Sequence, residues 1–287
     1  MEIVTRQPLI EETPALRYIW ENVFESGDDE IFFRFYYKRD MCLVAVQEGT
    51  PVSAGYLLPA GDILCGESSI PCAMIYAVAT LPEYRNRGYG AGVVRELIST
   101  AYAAGYPSVV LCPSSDSLFE YYSEHTELRE WFYVSEQIYS APPEVSCLPI
   151  LSGITACEYN RLRETVLAGT PHIVMEQQAI EYQSLLCNHF GGGLYCAETS
   201  GGLACAVVEK TQSGTIWIKE LLAADDCVQE VVSAIAAVYR APEYIVRTQA
   251  HPRGAVVRRF GMLSAQKVIS DVRIVENAFP WYGLAFD

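Results

Sequence analysis

The sequence predicts an α/β protein in which a mixed, mostly antiparallel sheet is flanked by helices, and it predicts that this arrangement occurs twice. Three observations carry the prediction. Short β-branched and apolar runs are separated by turn residues, as in a meander. At Gly88 the apolar spacing switches from period two to helical period. The same order of elements then returns after roughly 140–150 residues, the signature of a duplicated domain and not of a short-repeat solenoid. A chain of 287 residues is long enough for two ordinary domains. The division expected is 1–146 and 147–287.

In the first half, Glu2 to Thr5 reads as a short strand. Thr13-Pro14 starts a helix by the cap-then-proline rule and it runs to Phe24. Asp28 to Lys38 is a second, aromatic-rich helix. The runs Met41–Gln47 and Val52–Leu58 flank Glu-Gly-Thr-Pro, which is hairpin chemistry, and Cys72–Thr80 is a third strand. In Gly88 to Ala104, Val93, Val94, Leu97, Ile98 and Ala101 share one face and Gly105 stops the helix. Ser108–Cys112 is a strand, Asp116–Ser123 a short helix and Glu130–Tyr139 a strand. Ala141 to Pro149 reads as a linker.

After the linker, Thr155–Leu167 and Glu176–Phe190 are helical. Gly193–Glu198, Leu203–Lys210 and Thr215–Leu222 are strands, Cys227–Tyr239 a helix, Tyr244–Thr248 and Phe260–Ser270 strands. The tail Phe279 to Asp287 is too apolar to hang free and is expected to dock across the interface between the halves.

Composition excludes several classes. Half the residues are hydrophobic and 19% are charged, the range of a soluble globular protein. No run approaches the ~20 apolar residues of a membrane span. The opening Met-Glu-Ile-Val-Thr-Arg lacks a signal-peptide pattern, so a cytoplasmic location is expected. A net charge of -15 argues against nucleic acid and anionic membranes, both of which need a cationic face. It suits a cationic acceptor as well as a plain solvated surface. Ten cysteines carry no C-x-x-C pair and no His-rich partner, so no metal site is expected. Cys42, Cys72, Cys112, Cys196 and Cys205 lie in apolar runs and read as reduced, buried thiols.

The chemistry concentrates between Ile75 and Ala104. The strand ends near Thr80, Pro82 prevents its continuation, and Arg85, Asn86, Arg87, Gly88, Tyr89, Gly90 and Ala91 precede the helix. Unpaired N–H groups and the positive dipole end of a first turn make an anion site. Gly88 and Gly90 let a bulky diphosphate approach, and two arginines add charge to an acidic chain. No G-x-x-x-x-G-K-[ST] string exists. A Rossmann turn places its glycines at the strand end, whereas here a proline-containing linker intervenes. Asp116 after the next strand leaves a dinucleotide reading open, and a plain helix-capping turn is the remaining alternative.

This stretch resembles motif A of the GNAT superfamily of acyl-CoA-dependent N-acyltransferases, whose signature [RQ]-x-x-G-x-[GA] is met by Arg85-Asn-Arg-Gly88-Tyr-Gly90. The resemblance extends over Glu2 to Tyr139 in element order. It implies a GNAT-type fold that binds acetyl-CoA, with the pantetheine arm along Val78, Ala79 and Thr80 and the diphosphate held by Arg85 to Ala91. It also implies that the Val78 N–H faces the thioester oxygen and stabilises the oxyanion. Ser115 stands where many members have an asparagine that bonds the pantetheine arm. Tyr122 occupies the position of the usual general acid, which protonates the departing thiolate; Tyr121, or an aromatic helix face without a catalytic role, are the alternatives.

The sequence departs from the family where some members carry a glutamate base on the third strand: Met74 stands there. His125-Thr-Glu-Leu replaces the Gly-Phe that usually closes the tyrosine helix. Glu25, Asp28 and Asp29 at the turn between the first two helices are candidates for holding the acceptor, and helix capping by Asp28 explains the same residues. In the second half the third strand runs into Ala-Ala-Asp225-Asp226, where two aspartates would repel a pyrophosphate. Arg247, Arg253, Arg258 and Arg259 read as a solvated basic loop. The resemblance therefore implies a tandem protein whose first half is an N-acetyltransferase acting on an amine, expected to be a small molecule, and whose second half is degenerate. A non-catalytic acyl-CoA sensor or interaction module is the alternative.

Overall fold

The computed structural model describes residues 4–24, 27–250, 257–266 and 279–286. Its first elements are β1 (Val4–Arg6), α1 (Thr13–Phe24), α2 (Asp29–Phe35), β2 (Cys42–Gln47), β3 (Thr50–Cys65), β4 (Ser68–Thr80), α3 (Tyr89–Ala103), β5 (Ser108–Leu111) and α4 (Asp116–His125). There follow β6 (Arg129–Tyr139), β7 (Ile150–Gly153), α5 (Ala156–Val166), β8 (His172–Val174) and α6 (Gln177–His189). The last are β9 (Gly193–Thr199), β10 (Gly202–Lys210), β11 (Ile216–Leu222), α7 (Val228–Val238), β12 (Tyr244–Gln249) and β13 (Arg258–Ala265). The mixed, mostly antiparallel sheet with flanking helices is as the sequence predicts.

β3 and β4 run well past Leu58 and begin well before Cys72. Pro59 and Pro71 each remove one donor without ending a strand, and Gly61, at φ 108, takes a bend other residues resist. The short strands β7 and β8 carry no alternation long enough to read from sequence. The late strand starts at Arg258, two residues earlier than expected; its predicted end at Ser270 lies outside the described residues, as does Arg253.

The chain forms two compact units, within 1–62, 70–131 and 261–271, and within 63–69, 132–260 and 272–287. In the first unit the strand order is β1-β2-β3-β4-β5, with Met262–Ala265 of β13 antiparallel to β5. β4 and β5 are parallel, while β1–β2 and β2–β3 are antiparallel. In the second unit the order is β6-β12-β11-β10-β9-β7, with β11 and β12 parallel. Each unit thus completes its sheet with a strand from the other half of the sequence.

In the first unit α3 buries Val93, Val94, Leu97, Ile98 and Ala101 completely, the face its spacing predicts. Burying each large aliphatic chain contributes about 1.5–3 kcal/mol. They pack on Leu43, Ala45, Val52, Ala73 and Val109. Gly55 permits the close approach: a Cβ there would lie 2.9 Å from Leu97 Cδ1 and Val93 Cγ1. Tyr56, the next residue, points the other way into rings from α1 and α2, including Trp20 and Phe32.

In the second unit α7 buries Val231, Val232 and Ile235 against Ala204, Ala206 and Ile218. A polar node lies beside this core. Glu220, fully buried, accepts from Tyr159 (2.6 Å), Arg163 Nε (3.0 Å) and Trp281 Nε1 (2.7 Å). The tail is held there by its backbone as well. Trp281 donates to the Pro171 carbonyl, the Ile173 N–H to Trp281, Arg163 to Tyr282 and Arg247 to Gly283. The predicted basic loop is therefore not all solvated: Arg247 is 1% exposed and also bonds Glu136.

All ten cysteines are free. Cys42, Cys72 and Cys205 are buried as expected, whereas Cys112 and Cys196 are half-buried. Cys112 falls just beyond the end of β5, and Cys196 faces away from the α7 core that its neighbour Ala197 joins. No helix among the described residues is long and apolar enough to cross a membrane. Nor do three or more His, Cys, Asp or Glu side chains cluster there as metal ligands would.

Candidate active site

β4 pairs with β5 from Cys72↔Ser108 to Ile75↔Leu111, and β5 then ends while β4 continues to Thr80. Ala77, just past the last pair, has φ 48. A left-handed residue with a Cβ costs roughly 1–2 kcal/mol and marks a place where the chain is held under strain. Here it breaks the side-chain alternation. Tyr76 packs 5.9 Å from Trp20 and 5.5 Å from Phe32 by ring centroid, while Val78 packs toward α3 beside Gly55. The freed end of β4 is fixed from behind: Ser53 Oγ donates to the Ala79 carbonyl (2.7 Å) and lies 2.8 Å from Thr80 Oγ1.

Beyond Thr80 a single 3-10 turn, Pro82–Tyr84, redirects the chain. Arg85 Nε donates back to the Thr80 carbonyl (3.2 Å), and Arg87 donates to Glu83 (2.9 Å) with its guanidinium 5.5 Å above Tyr84. Both arginines are exposed. Asn86 (φ 60) and Gly88 (φ 83) take left-handed conformations, which these two residue types tolerate. Gly88 is the N-cap of α3, and no side chain caps the helix there. The N–H groups of the first turn are therefore without a side-chain acceptor. A Cβ on Gly90 would touch Thr80 Oγ1 at 3.4 Å, so strand end and first turn are in contact.

Tyr89 is only 4% exposed and its hydroxyl donates to Gln47 Oε1. Its ring belongs to the core, and what it can offer a ligand is its backbone. Ala79 and Ala91 are buried likewise. Tyr122 joins the same apolar cluster as Tyr89, Val93 and Leu111 and is 6% exposed. Burial, with Tyr121 beside it, pushes its pKa well above the usual tyrosine value. Its hydroxyl makes no hydrogen bond among the described residues. A phenol so placed keeps its proton for donation.

The other predicted residues are placed differently. Ser115 is exposed and its hydroxyl meets Ser117 (3.1 Å). His125 is exposed, with its ring 4.7 Å from Tyr121. Glu25 lies outside the described residues. Asp28 sits at the N-cap of α2 but makes no side-chain cap bond; its carboxylate, 7% exposed, accepts from Trp20 Nε1 (3.1 Å). A buried indole N–H needs an acceptor, and that need overrides capping. Asp29 pairs with Arg17 at 2.8 Å. Both aspartates thus have partners within the protein. Sequence reasoning missed Ser53, Gln47 and Ala77; only the hydroxyl of Ser53 inside an apolar strand was a signal available to it.

In the second unit the equivalent strand, β11, ends at Leu222 and is followed by the turn Asp225–Cys227, with Asp225 and Asp226 ahead of α7. No arginine and no glycine stands between Leu222 and Val228.

A strand freed from its parallel neighbour runs into a glycine-arginine helix start that no side chain caps, an arrangement that can hold an anion. Residues 6–124 match the family model of the acetyltransferase (GNAT) domain. Solved structures extend the likeness of fold beyond that stretch. A GCN5-related N-acetyltransferase from Anabaena variabilis superposes with a TM-score of 0.68 at 14% identity, over 93% of this chain and 74% of that one. Those from Kribbella flavida (0.62, 15%, 92% and 71%) and Sphaerobacter thermophilus (0.56, 13%, 92% and 95%) share the fold too. No curated protein sequence matches the chain.

Proposed function

We propose that the N-terminal half transfers an acetyl group from acetyl-CoA to an amine, with a small molecule as acceptor and the cytoplasm as its location. The observation that carries this reading is the freed strand end, Tyr76–Thr80, leading past two exposed arginines, Arg85 and Arg87, into the uncapped first turn of α3. On this reading residues 1–146 are the working copy. Residues 147–287 are a degenerate one, because Asp225 and Asp226 replace the cationic glycine loop.

The roles follow from chemistry. The loop from Arg85 to Ala91 holds the diphosphate through N–H groups and charge. Val78, Ala79 and Thr80 offer backbone groups to the pantetheine arm. The amine nitrogen attacks the thioester carbon; the C–N bond forms, and the Val78 N–H stabilises the oxyanion. As the C–S bond breaks, Tyr122 gives its proton to the sulfur and regains one from solvent, while the amine releases its proton to solvent. With Asp28 and Asp29 already paired, the acceptor's charge is met by the overall acidity of the chain more than by these two groups.

Thiol release from acetyl-CoA, followed across a broad panel of amines, tests the reading. Turnover that Tyr122→Phe abolishes or strongly reduces supports it. Tight binding of acetyl-CoA with no turnover on any amine rejects the enzyme and leaves an acyl-CoA sensor.

A further inference from the structure

We propose that Ser53 is a positioning residue for acetyl-CoA, setting which groups at the end of β4 face the ligand; this rests on the acetyl-CoA reading above. Ser53 lies in the buried run of β3 from Val52 to Leu58 and is itself 0% exposed. A hydroxyl in such a run is costly unless both its donor and its acceptor capacity are used. Here both are. Ser53 has one proton, and it goes to the Ala79 carbonyl at 2.7 Å. The 2.8 Å contact with Thr80 Oγ1 is then a bond in which Thr80 donates and Ser53 accepts.

Two consequences follow from this proton order. The Ala79 carbonyl is turned into the sheet and held there, so the peptide joining Ala79 to Thr80 cannot rotate. The Thr80 hydroxyl has spent its proton and presents only lone pairs on its far side, where Gly90 opens the first turn of α3. Those lone pairs repel a phosphate oxygen and accept an N–H. The strand end is thereby matched to the amide-bearing pantetheine arm, and the diphosphate is left to the loop beyond. The Thr80 carbonyl, tied to Arg85 Nε at 3.2 Å, carries the same constraint to the start of that loop.

Binding to the full-length protein tests this with two probes: acetyl-CoA, and 3′-phosphoadenosine 5′-diphosphate, which has the phosphates and no pantetheine arm. Ser53→Ala and Thr80→Val are expected to weaken acetyl-CoA about tenfold while leaving the nucleotide within twofold. Thr80→Ser, which keeps the hydroxyl, is expected to stay within twofold of the wild type for both. In turnover the KM for acetyl-CoA rises and the KM for the amine does not. Unchanged acetyl-CoA affinity in Ser53→Ala overturns the proposal. So does an equal loss for both probes, which a merely structural role of Ser53 produces, and so does a Thr80→Ser variant as weak as Thr80→Val. If the wild type fails to bind acetyl-CoA, the acetyl-CoA reading itself is rejected, and this outcome is distinct from a wild type that binds and a Ser53→Ala variant that equals it.

Discussion

Tyr76 and Val78, two residues apart on one strand, lie on opposite faces of the sheet, Tyr76 among the rings around Trp20 and Val78 against the α3 core. Alternation would put both on one face. Ala77 at φ 48 is the reason, and it sits where β4 parts from β5. One strained residue therefore links the aromatic cluster around Trp20, the α3 core and the opening of the strand pair.

Ala77→Val puts a β-branched side chain into a left-handed conformation that it strongly resists. The bulge is expected to relax, with acetyl-CoA binding weakened about tenfold or more and melting lowered by a few degrees. Ala77→Gly, which carries no such penalty, is expected to bind as the wild type does. Calorimetric titration of the three proteins decides.

Tyr122→Phe removes the hydroxyl proposed as proton donor and leaves the ring in place. The expected loss in kcat is about 10²- to 10⁴-fold, the usual size of a general-acid contribution, with the KM for acetyl-CoA within a few-fold. Thiol release at saturating amine measures it.

The same residue sets a pH signature. Burial raises the pKa of Tyr122, so the protonated, donating form persists above the ordinary tyrosine value of about 10. The kcat profile is expected to rise as the acceptor amine deprotonates and then to stay level to pH ~10. A falling limb centred near pH 8 or 9 contradicts the assignment.

Arg163→Met leaves Glu220, fully buried, without its cation. Breaking a buried pair from one side costs about 3–5 kcal/mol, which lowers melting by roughly 10 °C. Acetyl-CoA affinity is expected to hold, since the pair lies in the second unit. Differential scanning calorimetry with and without acetyl-CoA checks both halves of the statement.

Acid weakens the fold through two carboxylates. Glu12 is held below its ordinary value by its hydrogen bonds with Arg6. Burial pushes Glu164 up, but the hydrogen bond with His172 and the charge of Arg163 bring it below its ordinary value. A lowered folded pKa means stability present above the unfolded value, about 4.5, and lost as pH falls through the folded one. The urea midpoint is expected to be level from pH 7 to 5 and to drop below about 4.5, less steeply in Glu164→Gln.

Much of this was legible in the sequence because it depends on local periodicity. The buried face of α3 is written in the spacing of Val93, Val94, Leu97, Ile98 and Ala101, and the anion loop in the spacing of Arg85, Gly88 and Gly90. What escaped depends on contacts that no local pattern encodes. Ala77 has no preference for a left-handed backbone, so its bulge is imposed by the strands around it. Asp28 looks like a cap until Trp20 is known to be beneath it. Gln47 and Tyr89 are far apart in the chain, and nothing in either position announces their bond. The tail Phe279 to Phe286 was rightly read as too apolar to be free, but its described hydrogen bonds are all within the second unit.

The placement of Met262–Ala265 beside β5 bears on how the chain is born. During synthesis β5 leaves the ribosome long before Met262–Ala265, the segment that pairs with it. Until then the open edge of β5 is a template for any passing strand. The glycine-arginine loop and its helix are local enough to form early, yet the sheet that supports them waits for a distant part of the chain. A ribosome stalled before Met262 would release a chain with its glycine-arginine loop made and the partner of β5 missing, a substrate for chaperones.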